Sequence, residues 1–519
     1  MPPVTNPEKQ PLTDSRGAFA RARRRPAKTA CWATALFVFA ALTAGCSGRR
    51  QGSDSVPTIQ WEACPSDYPS NLTCGKLWVP MDHERGDRRQ IQLGMIRSQA
   101  TASKPLGNLI INPGGPGSSI VKIFVDGRQR EVVGPRLLEQ YHVIGPDPRG
   151  VGISSPIRCD ASLYNRRVPS YMTSQADVDA RMAWNRALGR SCVDKTGPLI
   201  RHVDTISAAI DLEYIRKALG DEKLNFMGIS YGTQLGSQYA ELYPERVGKM
   251  VLDGVVDHTQ RNIDSLMTEA VAYEDSVKGF FRWCNTTTDC AFHGKDLSSI
   301  FDKLIDDAIA KPIPALSCAE NSTTDACASA VTGYQLISNA QDSISEPEKW
   351  PNLSLNLLQA LRGNATSLSP SLAMKETDSS FSHTAISCLD WEREKTGSGL
   401  VRALMAARAL TPHTRGVSET LDIQTSCMGW PVPVKNPPRR LRREQLAKAP
   451  TILLVSGLHD PSTSVTWAVG LREQMPTAVS VFRDGFGHTS YWDYGETQRA
   501  VDGFLIEGEL PADLTVFKT

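Results

Sequence analysis

Ser230 stands in Gly228-Ile229-Ser230-Tyr231-Gly232, a pattern in which a hydroxyl can be made to attack a carbonyl carbon. A serine becomes a nucleophile when a base takes its proton, an acid orients the base, and N–H donors hold the oxyanion that develops. His488, after the glycine turn Asp484-Gly485-Phe486-Gly487, is the candidate base, and Asp460, in Ser456-Gly457-Leu458-His459-Asp460-Pro461, the candidate acid. Serine, then acid, then histidine is one of the known chain orders of such a triad. For the anion hole the candidates are the amide of Tyr231 and that of Gly115, in Asn112-Pro113-Gly114-Gly115-Pro116-Gly117, with Gly114 close behind. Residues without bulky side chains leave their N–H groups open to a reacting carbonyl. Asp253 competes with Asp460 for the place of the acid. Asp460 is favoured because its strand directly precedes the histidine strand, with Thr463 and Ser464 near enough to bond its carboxylate. His459 reads as a loop residue beside the acid.

These residues need a scaffold that holds them at one edge. The apolar run from Leu224 ends at Ser230, and Leu235, Tyr239 and Leu242 then recur at helical spacing. Strand, sharp turn and helix in that order are what force a serine side chain outward. Asn108–Ile111, Tyr141–Gly145, Lys249–Leu252, Thr451–Val455 and Ala478–Phe482 read as buried strands, Ile91–Ile96 as an alternating one and Thr205–Leu219 as an amphipathic helix. Strands alternating with helices predict a mostly parallel, doubly wound sheet. From 257 to 445 helical periodicity replaces this pattern. The predicted organisation is therefore a core from 61 to 256, a large, mainly helical cap from 257 to 445, and a C-terminal core part from 446 to 519. Arg439, Arg440, Arg442 and Arg443, at the end of the insertion, read as a solvated linker face.

Composition bounds the rest. Among 519 residues, 57 lysines and arginines nearly balance 56 aspartates and glutamates, which gives no reason to expect a nucleic-acid partner. Arg21 to Lys28, then the apolar run Thr29–Ala44, read as a secretory signal peptide over 1–45. Leu42-Thr43-Ala44-Gly45-Cys46 resembles a bacterial lipobox, which makes Cys46 a lipid-attachment candidate at the head of a tether spanning 46–60. A membrane contact is expected through that anchor alone. Ten cysteines follow Cys46, an even number that in an exported chain reads as disulfides. Neighbours suggest 64/74, 284/290 and 318/327, with 159/192 and 388/427 closing longer loops. No zinc-type cysteine spacing occurs, and neither a metal nor an organic cofactor is implied.

The glycine loop at 112–117, Asp147-Pro148-Arg149-Gly150-Val151-Gly152, the Ser230 pentapeptide, Asp460-Pro461 and Gly487-His488 together resemble the secreted tripeptidyl aminopeptidase family of α/β-hydrolases. That family is similar to the prolyl aminopeptidases and includes mycobacterial cell-envelope serine proteases. The resemblance runs from 60 to 519 and departs at Ser118-Ser119, where further glycine is expected. It implies an α/β-hydrolase fold and an exported serine exopeptidase that releases short peptides, often tripeptides, from substrates with free N-termini. A carboxylic-ester hydrolase with the same triad is the alternative. A site that selects a cationic α-amino group should present carboxylates at a fixed distance from Ser230. Asp390 and Glu274 are the ranked candidates, with Glu269 and Asp275 also just inside the cap.

Overall fold

The computed structural model describes residues 57–518, except 85–87, 167, 319–326, 373, 395–396 and 493–494. The signal peptide, most of the tether and Cys46 lie outside the described residues. Seven strands precede the insertion: β1 (Gln60–Ala63), β2 (Leu72–Pro80), β3 (Gln90–Ser98), β4 (Asn108–Asn112), β5 (His142–Pro146), β6 (Leu224–Ile229) and β7 (Val247–Asp253). Within the insertion a small antiparallel pair forms, β8 (Ile313–Pro314) and β9 (Ala330–Val331), and the sheet then resumes with β10 (Ile452–His459), β11 (Val479–Phe486) and β12 (Thr515–Lys518).

The ten sheet strands lie in the order β1-β2-β3-β5-β4-β6-β7-β10-β11-β12. The pairs from β1 to β5 are antiparallel, and every pair from β5 to β12 is parallel. A parallel strand is covered on both faces, so its residues are apolar in both alternations. Phe226, Met250, Leu252, Ile452 and Leu454 enter the core on one face, and Met227, Ile229, Val251, Leu453 and Val455 that on the other. The chain order reverses between β5-β4 and β6-β7, which opens a crevice beyond the carboxyl ends of these strands. The glycine loop 112–117 leaves β4 and the Ser230 turn leaves β6 there, and Asp460 follows β10 farther along the sheet.

The insertion has a core of its own, in which Phe280, Phe301, Leu336 and Trp350 are buried. Its later part does not stand apart. Phe381, Cys388, Leu389, Cys427 and Trp430 share the main core with Leu188 and Leu212, so these segments are fastened to the sheet. The structure closes the five disulfides that cysteine spacing suggested: 64–74, 159–192, 284–290, 318–327 and 388–427. The last joins helix Ser379–Asp390 to helix Glu419–Cys427, the two segments that wall the crevice. The arginines after the insertion are not a purely solvated face. Arg439 and Arg442 both bond the buried carboxylate of Glu241, Arg439 through two nitrogens at 2.8 and 2.6 Å. A buried charge needs such partners.

Candidate active site

The turn at Ser230 is strained in a useful way. Ser230 has φ 56° and ψ −124°, and although it precedes helix Tyr231–Leu242, its side chain does not cap that helix. Only a tight surrounding holds a non-glycine residue there. The Ser230 N–H donates to Asp253 O at 2.8 Å, while its own carbonyl accepts from Thr233 N at 2.8 Å and Thr233 Oγ1 at 2.7 Å. Gly228 and Gly232 are small of necessity. A Cβ on Gly232 would come within 2.8 Å of Asn112 O, and one on Gly228 would collide with the Gly232 carbonyl. The elbow and the oxyanion loop thus pack backbone to backbone.

Gly114 lies against Ser230, where a Cβ would meet the serine Cβ at 2.9 Å, but its amide already donates to Asn112 Oδ1 at 3.1 Å. Gly115 follows at φ +107° and lines one cavity with Ser230 and Tyr231. Tyr231 is fixed from behind. Its hydroxyl donates at 2.6 Å to Thr205 Oγ1, which in turn donates to Asp390. Asp390 therefore lies behind the oxyanion side of the site rather than in the cavity. Its other partners are Thr205 N at 3.1 Å and Asn436 Nδ2 at 2.9 Å. Burial, then the nearby charge of Asp204, raises its carboxyl to about 7.

Asp460 and His488 form a bonded pair. His488 Nδ1 lies 2.9 and 3.0 Å from the two carboxylate oxygens, which leaves Nε2 as the ring's other face. Asp460 also accepts from Ser462 N at 2.9 Å, Thr463 N at 2.8 Å, Thr463 Oγ1 at 2.8 Å and Thr489 N at 2.9 Å. Ser464 bonds elsewhere, to Thr466, because it caps the helix Val465–Gln474; the backbone of Ser462 takes the place expected of it. Burial would raise the Asp460 carboxyl, but the charge of His488 and these bonds outweigh it and hold the pKa below the ordinary value. For His488 burial favours the neutral ring; the charges of Asp460, Glu419 and Asp253 prevail and push it up to about 9. Thr463, which bonds Asp460, also lines the cavity that holds Ser230.

Asp253 does something else. Its Oδ2 accepts from Ser490 N at 2.9 Å and Tyr491 N at 2.8 Å, just after His488. Through its backbone oxygen it holds Ser230, and through its carboxylate it holds the histidine loop. Burial raises this carboxyl to about 6.

Of the carboxylates expected near the cavity, Glu274 turns away to accept from the amides of His413 and Thr414, and Asp275 pairs with His459 at 2.6 Å. Glu269 lines the cavity, and so does Glu419, a residue that sequence reasoning passed over. Glu269 accepts from Glu419 N at 3.0 Å and Thr420 N at 2.7 Å, two amides at the start of the helix Glu419–Cys427, whose N-cap is Ser418. One oxygen of Glu419 accepts from Ser462 Oγ at 3.1 Å. Glu419 reaches solvent but is enclosed by protein, and burial raises both carboxyls, Glu269 further through the charge of Glu419. Two acids 150 positions apart share no sequence pattern; the single local trace is the N-cap sequence Ser418-Glu419-Thr420. Val256, Trp391, Ile423 and Trp467 supply the apolar wall of the same cavity.

A bent serine at a parallel sheet's carboxyl edge, with a paired acid and histidine from the last strands, is an arrangement met in known proteins. The chain is 30% identical over 479 residues to serine protease Hip1 of Mycobacterium tuberculosis, covering 87% of this chain and 89% of that one. It is 28% identical over 447 residues to tripeptidyl aminopeptidase of Streptomyces lividans, covering 80% and 78%. It is also 28% identical over 490 residues to carboxylesterase B of M. tuberculosis, covering 90% and 91%. The model of the alpha/beta hydrolase fold matches residues 107–493, which span the oxyanion loop, the serine turn, the insertion and the acid–histidine pair. The chain belongs to the α/β-hydrolase family, as a serine hydrolase.

Proposed function

We propose that this protein is an exported serine exopeptidase that releases short peptides, tripeptides above all, from substrates with a free N-terminus. Ser230 attacks the scissile carbonyl as His488 Nε2 takes its proton, and Asp460 holds the ring in the tautomer that leaves Nε2 free. The amides of Tyr231 and Gly115 stabilise the oxyanion, with the dipole of helix Tyr231–Leu242 behind the first of them. The amine leaves with the proton from His488, and water then hydrolyses the ester on Ser230 by the same steps.

One observation carries the peptidase reading: Glu269 and Glu419 face the cavity that Ser230 opens into. Glu269 is buried and the charge of the more exposed Glu419 raises its carboxyl further, so the two do not both ionise readily, whereas an α-ammonium group between them offsets the repulsion. An N-terminal amine is a cation below its pKa of ~7.7–8.0. The name of the Streptomyces relative supports the tripeptide length. The apolar wall and the carboxylesterase relative favour a second reading, an ester hydrolase with the same triad.

A free tripeptide amide and its N-acetyl form separate the two. The free form should have the higher kcat/KM by roughly 100-fold, the scale of an interaction that leaves a buried group unpaired when absent. Glu419→Gln should remove most of that preference. Equal rates for the two substrates in the wild type would end the exopeptidase reading and favour the esterase.

The pH profile gives an independent measure. A general base works unprotonated, so kcat/KM for an acetylated substrate or an ester should climb with pH until His488 loses its proton near 9. For the free peptide the ammonium group is lost from ~8 upward, so its profile should bend over at lower pH than that of the ester. Superimposable profiles would count against a charged anchor.

Export belongs to the same proposal. Five disulfides support it, since such bonds persist in oxidising compartments. A lipid on Cys46 would retain the enzyme at the cell envelope, and Cys46→Ala should then abolish partitioning into detergent. Unchanged partitioning would leave plain cleavage of the leader.

A further inference from the structure

A second cavity, of 320 Å³, lies across the oxyanion loop from Ser230. It shares Gly115 and Pro116 with the first, then continues over Gly117 and Ser118 between helix Gln175–Thr196 and the start of helix Ser379–Asp390. Its walls differ in kind. On one side stand Trp184 and Tyr164, with ring centres 5.9 Å apart, and on the other the hydroxyls of Ser379, Ser380 and Thr384. The divider between the cavities is fixed. His383 Nδ1 lies 3.1 Å from Pro116 O, and a Cβ on Gly117 would come within 2.8 Å of His383 N.

We infer that this second cavity is the leaving-side subsite, which holds the first two residues beyond the bond that is cut. The inference rests on the exopeptidase reading above. In that reading the scissile carbonyl sits between the amides of Tyr231 and Gly115, and the substrate's amino end points to Glu269 and Glu419. Neither glutamate lines the second cavity. The first cavity, which holds Ser230 and both glutamates, is thereby assigned to the acyl part of the substrate. A chain that enters there and passes its carbonyl over Gly115 leaves across Pro116, and the space it meets is the second cavity.

The lining says what that segment should be. Arg181, the cavity's cation, donates to Val168 O at 3.0 Å and Ser426 Oγ at 2.8 Å, lies 3.7 Å from Asp422 and stacks on Trp184 at 4.8 Å. It is thus engaged by the protein and is not poised for a terminal carboxylate. The hydroxyls suit the N–H and C=O groups of a continuing backbone, and the aromatic pair suits a flat or apolar side chain. The ligand is a neutral, extended peptide segment with an aromatic first residue, and the preferred substrates are longer than four residues.

The test compares a tripeptide amide with the same tripeptide extended by Phe-Ala amide, so that both have the same acyl part. In the wild type the extended peptide should have a kcat/KM roughly 10-fold higher, because binding remote from the reacting bond is spent on reaching the transition state. In Ser379→Trp, which fills the mouth of the cavity from an exposed position, that ratio should fall to about 1. Trp184→Leu should lower it severalfold, and a replacement of Phe by Asp in the extension should lower it in the wild type. A wild-type ratio near 1, or a ratio untouched by both variants, overturns the inference while leaving the exopeptidase reading intact. Cleavage of esters but of neither peptide overturns both.

Discussion

Ser230→Ala should reduce turnover of any substrate by ~10⁶-fold, the scale seen when the nucleophile of such a triad is removed. The fold should survive. The side chain makes no capping bond to its helix, and the turn is held by backbone bonds to Asp253 and Thr233 that alanine retains. A serine-directed fluorophosphonate should label the wild type once, on Ser230, and leave the variant unlabelled. Residual labelling of Ser230→Ala at another serine, with activity retained, would refute the mechanism. Alanine at φ 56° is no more comfortable than serine, so its thermal midpoint should lie close to that of the wild type.

The second large effect separates two aspartates that the sequence places as rivals. Asp460→Asn should lower kcat by ~10⁴-fold, because an amide opposite Nδ1 favours the wrong tautomer of His488. The donors divide between the two oxygens, Ser462 N and Thr463 N on one and Thr463 Oγ1 and Thr489 N on the other, so an amide keeps one pair; the protein should still fold, with a lowered thermal midpoint. Asp253→Asn should act differently. Its carboxylate touches only backbone amides of Ser490 and Tyr491, and both survive as partners of an amide oxygen. Burial already favours its protonated form, so replacement by a neutral group costs little, and activity should stay within about tenfold of the wild type. Folded but inactive Asp253→Asn beside active Asp460→Asn would reverse the assignment.

Where the sequence was legible, a local rule stood behind it. Parallel strands buried on both faces must be apolar throughout, and β4, β6, β7, β10 and β11 could therefore be placed to within a few residues. The helix Thr205–Leu219 matched its predicted span because Asp204 caps one end and Gly220, left-handed at φ 76°, the other. The antiparallel edge was harder to see. Of β1, β2 and β3 only the last was expected, since partial exposure dilutes their apolar pattern. The site divides in the same manner. Ser230, Asp460 and His488 each follow a strand that announces itself, and glycines mark the oxyanion loop. Glu269 was among the carboxylates the sequence offered, but Glu419 lies on a helix whose placement depends on tertiary contacts, and nothing near it in the chain pairs it with Glu269. Asp390 failed as an anchor for the converse reason. Its sequence neighbours look suitable, but its helix turns it toward Thr205.

The insertion also sets the order in which parts of the site come into existence. β7 and β10 are adjacent in the sheet, with Met250 opposite Ile452, so about 200 residues of chain separate partners that must pair. The entropy of closing so long a loop grows only slowly with its length, and the pairing is affordable. Its timing is another matter. During synthesis the serine emerges with the first half of the sheet, while the acid and the histidine arrive only with the last strands. Ser230 therefore has neither base nor orienting acid until the ribosome has nearly finished. On the proposed mechanism, a growing polypeptide of this design should be inert toward its neighbours until its last strands are in place.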